Sequence, residues 1–103
     1  MLELRKHQRF DLRLPFKIPH TAHGGGIAGE TANVSSSGVL FRSATPLPVG
    51  ESIEYLITLL KVPGTRLEVR LRCVGRVVRE IEDFAFAATL DRYEFMRERP
   101  EQP

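Results

Sequence analysis

Between Arg66 and Cys73 the chain alternates without a break: Leu67, Val69, Leu71 and Cys73 are apolar, and Arg66, Glu68, Arg70 and Arg72 between them are charged. A period of two predicts a strand with one face turned to a core and the other to water. Past Gly75 the run Arg76-Val77-Val78-Arg79 stops alternating, which fits a bulge or kink at Gly75, or a second buried face. Upstream, Ser52 to Leu60 is rich in Ile, Tyr, Leu and Thr and reads as a strand; Val62-Pro63-Gly64-Thr65 supplies the turn after it. Arg13 to Ile18 predicts a first strand, with Pro15 at an edge or a strand start. Ile27 to Val34 and Val39 to Arg42 predict an antiparallel pair joined by a polar turn, and Phe84 to Leu90 a last strand. Five or six short strands separated by turn signals point to a small barrel or closed sheet, which leaves no open edges. Asp91-Arg92-Tyr93-Glu94 carries a capping-box pattern and predicts a C-terminal helix. Phe95 and Met96 would pack that helix on the barrel, Arg97 and Arg99 would sit near its negative end, and Pro100 would stop it.

Composition narrows the function. At 103 residues the chain is one domain with one modest core, and a hydrophobic fraction of 42% argues against disorder. A net charge of +2 and a pI near 9.0 permit an anionic ligand but fall short of a dedicated duplex-DNA binder. The single cysteine, Cys73, excludes an intrachain disulfide and a Cys-rich zinc site, and its Val and Leu neighbours suit a buried apolar filler. There is no apolar run of 18 residues, and Met-Leu-Glu-Leu-Arg-Lys is not a secretory signal, so the expectation is a soluble cytoplasmic protein without membrane insertion.

Two stretches carry candidate chemistry. Asn33-Val34-Ser35-Ser36-Ser37-Gly38 offers an amide and three hydroxyls that both donate and accept hydrogen bonds, and Gly38 lacks a Cβ where the backbone must turn tightly or something must approach it. Turn chemistry alone would explain it. Leu4-Arg5-Lys6-His7-Gln8-Arg9-Phe10 places two arginines four apart. Their planar donor forks suit two-point contact with phosphate or with a guanine Hoogsteen edge, although a solvated basic tail is the ordinary explanation of such a run.

In conjunction, Arg-x-x-x-Arg followed by Asn-x-Ser-x-x-Gly resembles the PilZ domain, the bacterial receptor module for cyclic di-GMP; the resemblance covers Leu4 to Met96. It implies a six-stranded antiparallel β-barrel with a C-terminal α-helix. Residues 1–12 would be a flexible arm with the arginine motif, 13–99 the barrel and helix, and 100–103 a tail. It also implies that Arg5 and Arg9 bind phosphate and guanine, that Asn33 hydrogen-bonds a guanine in place of the carboxylate many relatives carry, that Ser35 adds a hydroxyl, and that Gly38 lets the ligand sit close. Lys6, His7 and Arg42 are secondary candidates for phosphate. Leu4 precedes the first arginine and cannot stack on a second ligand as an Arg there could, which points to one ligand per chain. The Val-rich run at Gly75 to Val78 lies near the ligand in relatives but reads here as core.

The expected mechanism is closure of the arm over the barrel on binding. Fixing the arm costs roughly 1–2 kcal/mol per residue, and charge-assisted hydrogen bonds from two arginines, each worth about 1.5–3 kcal/mol, offset this for a few residues. Signalling would pass to a downstream protein, with a homodimer possible and no cofactor. An enzyme is disfavoured, since His7, His20 and His23 join no nucleophile, base or metal-ligand set. A barrel binding RNA or single-stranded DNA would need stacking aromatics on a basic face, whereas most of the six Phe and two Tyr fall in core-like positions. The remaining alternative is a PilZ-like module that works through proteins and does not bind the nucleotide.

Overall fold

The computed structural model describes residues 10–21 and 25–98. Seven strands follow one another: β1 (Pro15–Ile18), β2 (Ile27–Val34), β3 (Gly38–Ser43), β4 (Ser52–Lys61), β5 (Glu68–Glu82), β6 (Ala85–Thr89) and β7 (Arg92–Glu98). All pairings are antiparallel, in the order β4-β1-β2-β3-β6-β5, and β4 pairs back onto β5 to close a six-stranded barrel. The strand bounds follow the sequence pattern to within a residue or two, except that β5 runs straight through Gly75 and shifts register later, between Val77 and Arg79 and again between Glu80 and Glu82.

Inward-facing residues interlock as a ring stack. Phe16 lies 4.1 Å from Phe41 and 5.2 Å from Tyr55 between ring centroids, and Phe41 lies 5.9 Å from Phe86. Ile18, Ile57, Cys73 and Val77 fill the space around them and are fully buried. Cys73 is thus the apolar filler its neighbours suggest, and burial pushes its thiol up to about 12. Of the Val-rich run, Val77 is core and Val78 is exposed.

The C-terminal helix is corrected. Asp91 does not cap a helix; its amide donates to the Val74 carbonyl at 2.8 Å, and the next seven residues form β7, paired with β5 from Arg92↔Val74 to Glu98↔Glu68. No helix occurs among the described residues. The reason is tertiary. The first half of β5 is longer than β6 can cover, so its ladder stands open where β6 ends, and seven long-range pairings outcompete a helix that would be marginal at this length. Tyr93 and Phe95 favour strands, and Arg72 ties β7 in place by bonding both Glu54 on β4 and Glu94 on β7.

At the break between β6 and β7 the Thr89 carbonyl turns inward and accepts the Tyr55 hydroxyl at 2.8 Å. A Cβ on Gly75 would lie 1.8 Å from that oxygen, so only glycine fits there.

Candidate functional site

The polar turn between β2 and β3 is internally bonded. The Ser35 amide donates to the Gly38 carbonyl at 2.9 Å, Ser35 Oγ donates to the same carbonyl at 3.3 Å, and the Ser37 amide donates to Ser35 Oγ at 3.3 Å. Ser35 is buried, and its hydroxyl shapes the turn. From the far side, the Leu90 amide donates to the Ser37 carbonyl at 2.9 Å. Gly38 opens β3 in ordinary extended backbone. A Cβ there would come within 2.7 Å of the Ala88 carbonyl on β6, so its reason lies in the packing of β3 against β6.

A bulge aims Asn33. Glu30 opposes Arg42 and Thr31 opposes Phe41, but the register then shifts, and Asn33 opposes Leu40 while Val34 opposes Val39. Opposed residues share a face. Thr31 is therefore inside with Phe41, and Asn33, two residues on, is outside with Leu40 and Arg42. Without the extra residue at Ala32 the amide would face the core. Continuing laterally, Leu40 opposes Ala87 on β6, and Ala87 opposes Arg79 on β5, so one row of the outer wall reads Asn33, Leu40, Ala87, Arg79. Arg79 escaped the sequence reading because its place depends on register shifts that no short motif encodes.

Arg42 stands on the same wall and donates to Glu82 at 2.9 Å, both side chains being more than half exposed. An exposed pair of this kind is worth about 0.2–1 kcal/mol, so Arg42 can turn to another anion at small cost. Arg42 lines a partly open depression together with Asp11, Arg13, Glu30, Thr31 and Ala32.

The segment that leads from the arginine motif is docked against this wall. Phe10 and Val34 exchange backbone hydrogen bonds of 2.8 and 2.9 Å. Four residues on, the Thr31 amide donates to the Leu14 carbonyl, while buried Thr31 Oγ1 accepts the Leu14 amide at 2.9 Å and donates to the Leu12 carbonyl at 2.5 Å. Arg5, Lys6, His7 and Arg9 lie outside the described residues, as does the tail at 100–103. Among the sequence-derived candidates, Asn33, Ser35 and Gly38 are brought to the turn end of the β2–β3 pair, while Arg42 stands further along β3 opposite Glu30; Asn33 and Arg42 share the outer face.

A family model described as PilZ domain matches residues 3–98. The chain belongs to the PilZ domain family. The match spans both Arg5-x-x-x-Arg9 and Asn33-x-Ser35-x-x-Gly38. No curated protein matches the chain. PilZ domains are generally cyclic di-GMP receptors and act as binding or adaptor modules, typically with partner proteins. The outer wall carries the Asn33 amide and the Arg42 guanidinium, whereas the Ser35 and Thr31 hydroxyls are buried. Among the described residues no cluster of three His, Cys, Asp or Glu side chains is placed to hold a metal, and no helix is long and apolar enough to cross a membrane.

Proposed function

We propose that this PilZ domain is a cytoplasmic cyclic di-GMP receptor whose N-terminal arm folds over the β2–β3 turn on binding and so signals to a partner protein. The Phe10–Val34 bridge carries the proposal: the residue that follows the arginine motif is bonded to the residue between Asn33 and Ser35. Arg5 and Arg9 then grip phosphate and guanine from the arm, and Asn33 meets a guanine from the bulge. Arg42, released from Glu82, is available to a phosphate. Lys6 and His7 are secondary candidates for phosphate contact. Leu4, which offers no stacking plane, favours one ligand per chain.

The rival is a PilZ module that binds only proteins, and one observation favours it: Ser35 and Gly38 have sufficient structural reasons of their own. Isothermal titration of the full chain with cyclic di-GMP separates the two. Saturable binding at one nucleotide per chain, lost in Arg9→Ala with the thermal midpoint unchanged, supports the receptor. Absence of heat with folded wild-type protein leaves the rival standing. Nitrogen relaxation of residues 4–10 with and without nucleotide tests the closure, which fails if their order is the same in both.

A further inference from the structure

The outer edge of β7 is unpaired among the described residues, an unusual feature for a closed barrel. Among the described residues β7 pairs with β5 alone, through an unbroken ladder of seven pairs; its own stretch contains no Pro, Gly or bulge, and its charges are balanced, two Arg and two Glu, so they repel a second strand only in some registers. Tyr93 opposes Cys73 and Phe95 opposes Leu71; those two oppose Tyr55 and Ile57 in turn, so Tyr93 and Phe95 prolong the core face of the sheet past the barrel wall. They pack edge to face at 6.1 Å, yet Tyr93 is 59% and Phe95 68% exposed, more than any other large apolar side chain among the described residues.

We infer that β7 is a homodimer interface, in which two copies join edge to edge as antiparallel strands centred on Phe95. Geometry and charge select this occupant and this register together. Each copy offers the same single edge, since β5 occupies the other. Two identical edges can face each other only about a two-fold axis perpendicular to the sheet. That operation keeps the faces of the sheet unchanged, so odd-numbered residues must lie opposite odd-numbered ones.

Every register centred on a residue satisfies that condition, and charge and the number of paired residues choose among them. Centring on Glu94 sets Glu94 against itself, and centring on Met96 sets Glu94 against Glu98 on both sides of the axis. Centring on Phe95 pairs all seven residues: Arg92 with Glu98 of the second copy, Tyr93 with Arg97, Glu94 with Met96, and Phe95 with its own mate. Opposite charges meet at both ends, a guanidinium meets an aromatic ring next to them, and no like charges are opposed. The apolar face then runs from one barrel to the other through Leu71, Phe95, Phe95 and Leu71.

Sedimentation equilibrium and directed cross-linking of the full chain test the inference. A cysteine at position 95 would meet its mate across the axis at about 4.5–5.5 Å between Cα atoms, within disulfide range. A cysteine at position 93 would lie four residues out of register, roughly 13 Å away along the strand. Native Cys73 is buried and does not compete. The expected results are a wild-type dimer, rapid disulfide formation by Phe95→Cys under mild oxidation, and linking of Tyr93→Cys slower by about tenfold or more. A wild-type protein that stays monomeric overturns the inference, as would happen if the chain's own termini covered the edge. So does a dimer in which Phe95→Cys fails to link, or one in which both cysteines link at the same rate.

Discussion

Phe10 and Val34 exchange two backbone hydrogen bonds, 2.8 Å from the Phe10 amide and 2.9 Å from the Val34 amide. That bridge and the Thr31 hydroxyl are what hold the end of the arm against the barrel, and the two contribute differently. Thr31 Oγ1 serves both the Leu12 carbonyl and the Leu14 amide from a buried position. Thr31→Val keeps the shape but leaves both groups without their partner, and should cost about 1–3 kcal/mol of stability in urea unfolding. Thr31→Ser should recover most of it. If the arm grips the nucleotide, Thr31→Val should also weaken cyclic di-GMP binding more than its stability loss alone explains.

Gly38 offers a test of where a motif residue earns its place. Its absent Cβ would sit 2.7 Å from the Ala88 carbonyl, a backbone atom held in the β3–β6 ladder. Gly38→Ala should therefore destabilise the protein by about 1–3 kcal/mol with no nucleotide present, as strained overpacking does. Thermal unfolding of the apo protein checks this. An unchanged midpoint with lost binding would move the role of Gly38 from packing to the ligand.

Tyr55, Gly75 and Thr89 form one structural unit inside the barrel. The Tyr55 hydroxyl is the partner of the Thr89 carbonyl where the chain leaves β6, and Gly75 makes room for that carbonyl. Tyr55→Phe should cost about 1–3 kcal/mol by leaving the oxygen unpaired. Gly75→Ala should cost about 4 kcal/mol or more, because the obstructing atom is backbone and cannot rotate away. Chemical denaturation of the two variants gives the ordering, which reverses if Thr89 relaxes freely.

Much of this architecture was legible in the chain. Period two along Leu67 to Cys73, the Pro-Gly turn after Val62 and the Asn-Ser-Gly turn each encode a local geometry that survives folding. What was not legible depends on partners distant in sequence. Asp91 and Glu94 form a sound capping pattern, yet the open ladder of β5 claims the segment as β7. The bulge at Ala32, which decides whether Asn33 faces water or core, follows from the pairing of β2 with β3 and leaves no mark on the motif itself. Arg79 joins the outer row that begins at Asn33 only after register shifts in β5, and Gly38 reads as a turn residue until β6 is seen behind it.

Phe84 sits in the β5–β6 turn with φ of 62°, the one positive value among the described non-glycine residues. Left-handed backbone costs an ordinary L-residue roughly 1–2 kcal/mol, and a ring that is 46% exposed recovers only part of it by packing. Asn tolerates this conformation far better. Phe84→Asn should raise stability by about 0.5–1 kcal/mol, the residual strain after the lost contacts, measured as a higher urea midpoint. A lower midpoint would show that the ring is packed for stability.

Cys73 makes stability depend on alkaline pH. Its thiol is raised from 9.0 to about 12 because the fully buried site disfavours the thiolate. In the unfolded chain the thiol ionises near 9, so between pH 9 and 12 the unfolded state has lost a proton that the native state keeps. The native state binds more protons there, and stability must fall as pH rises. The contribution is intact below pH 9 and declines by about 1.4 kcal/mol per unit above it until the folded value is reached. Tyr55 acts in the same direction, its hydroxyl also being raised chiefly by burial. Urea unfolding at pH 8, 10 and 11, with flanking values chosen below and above the unfolded thiol's titration, should show this decline in the wild type. Cys73→Ala will be less stable at pH 8 for want of packing, but its decline should be shallower, with the slope that remains belonging to Tyr55. Parallel pH profiles for the two proteins would mean that the thiol finds water in the native state.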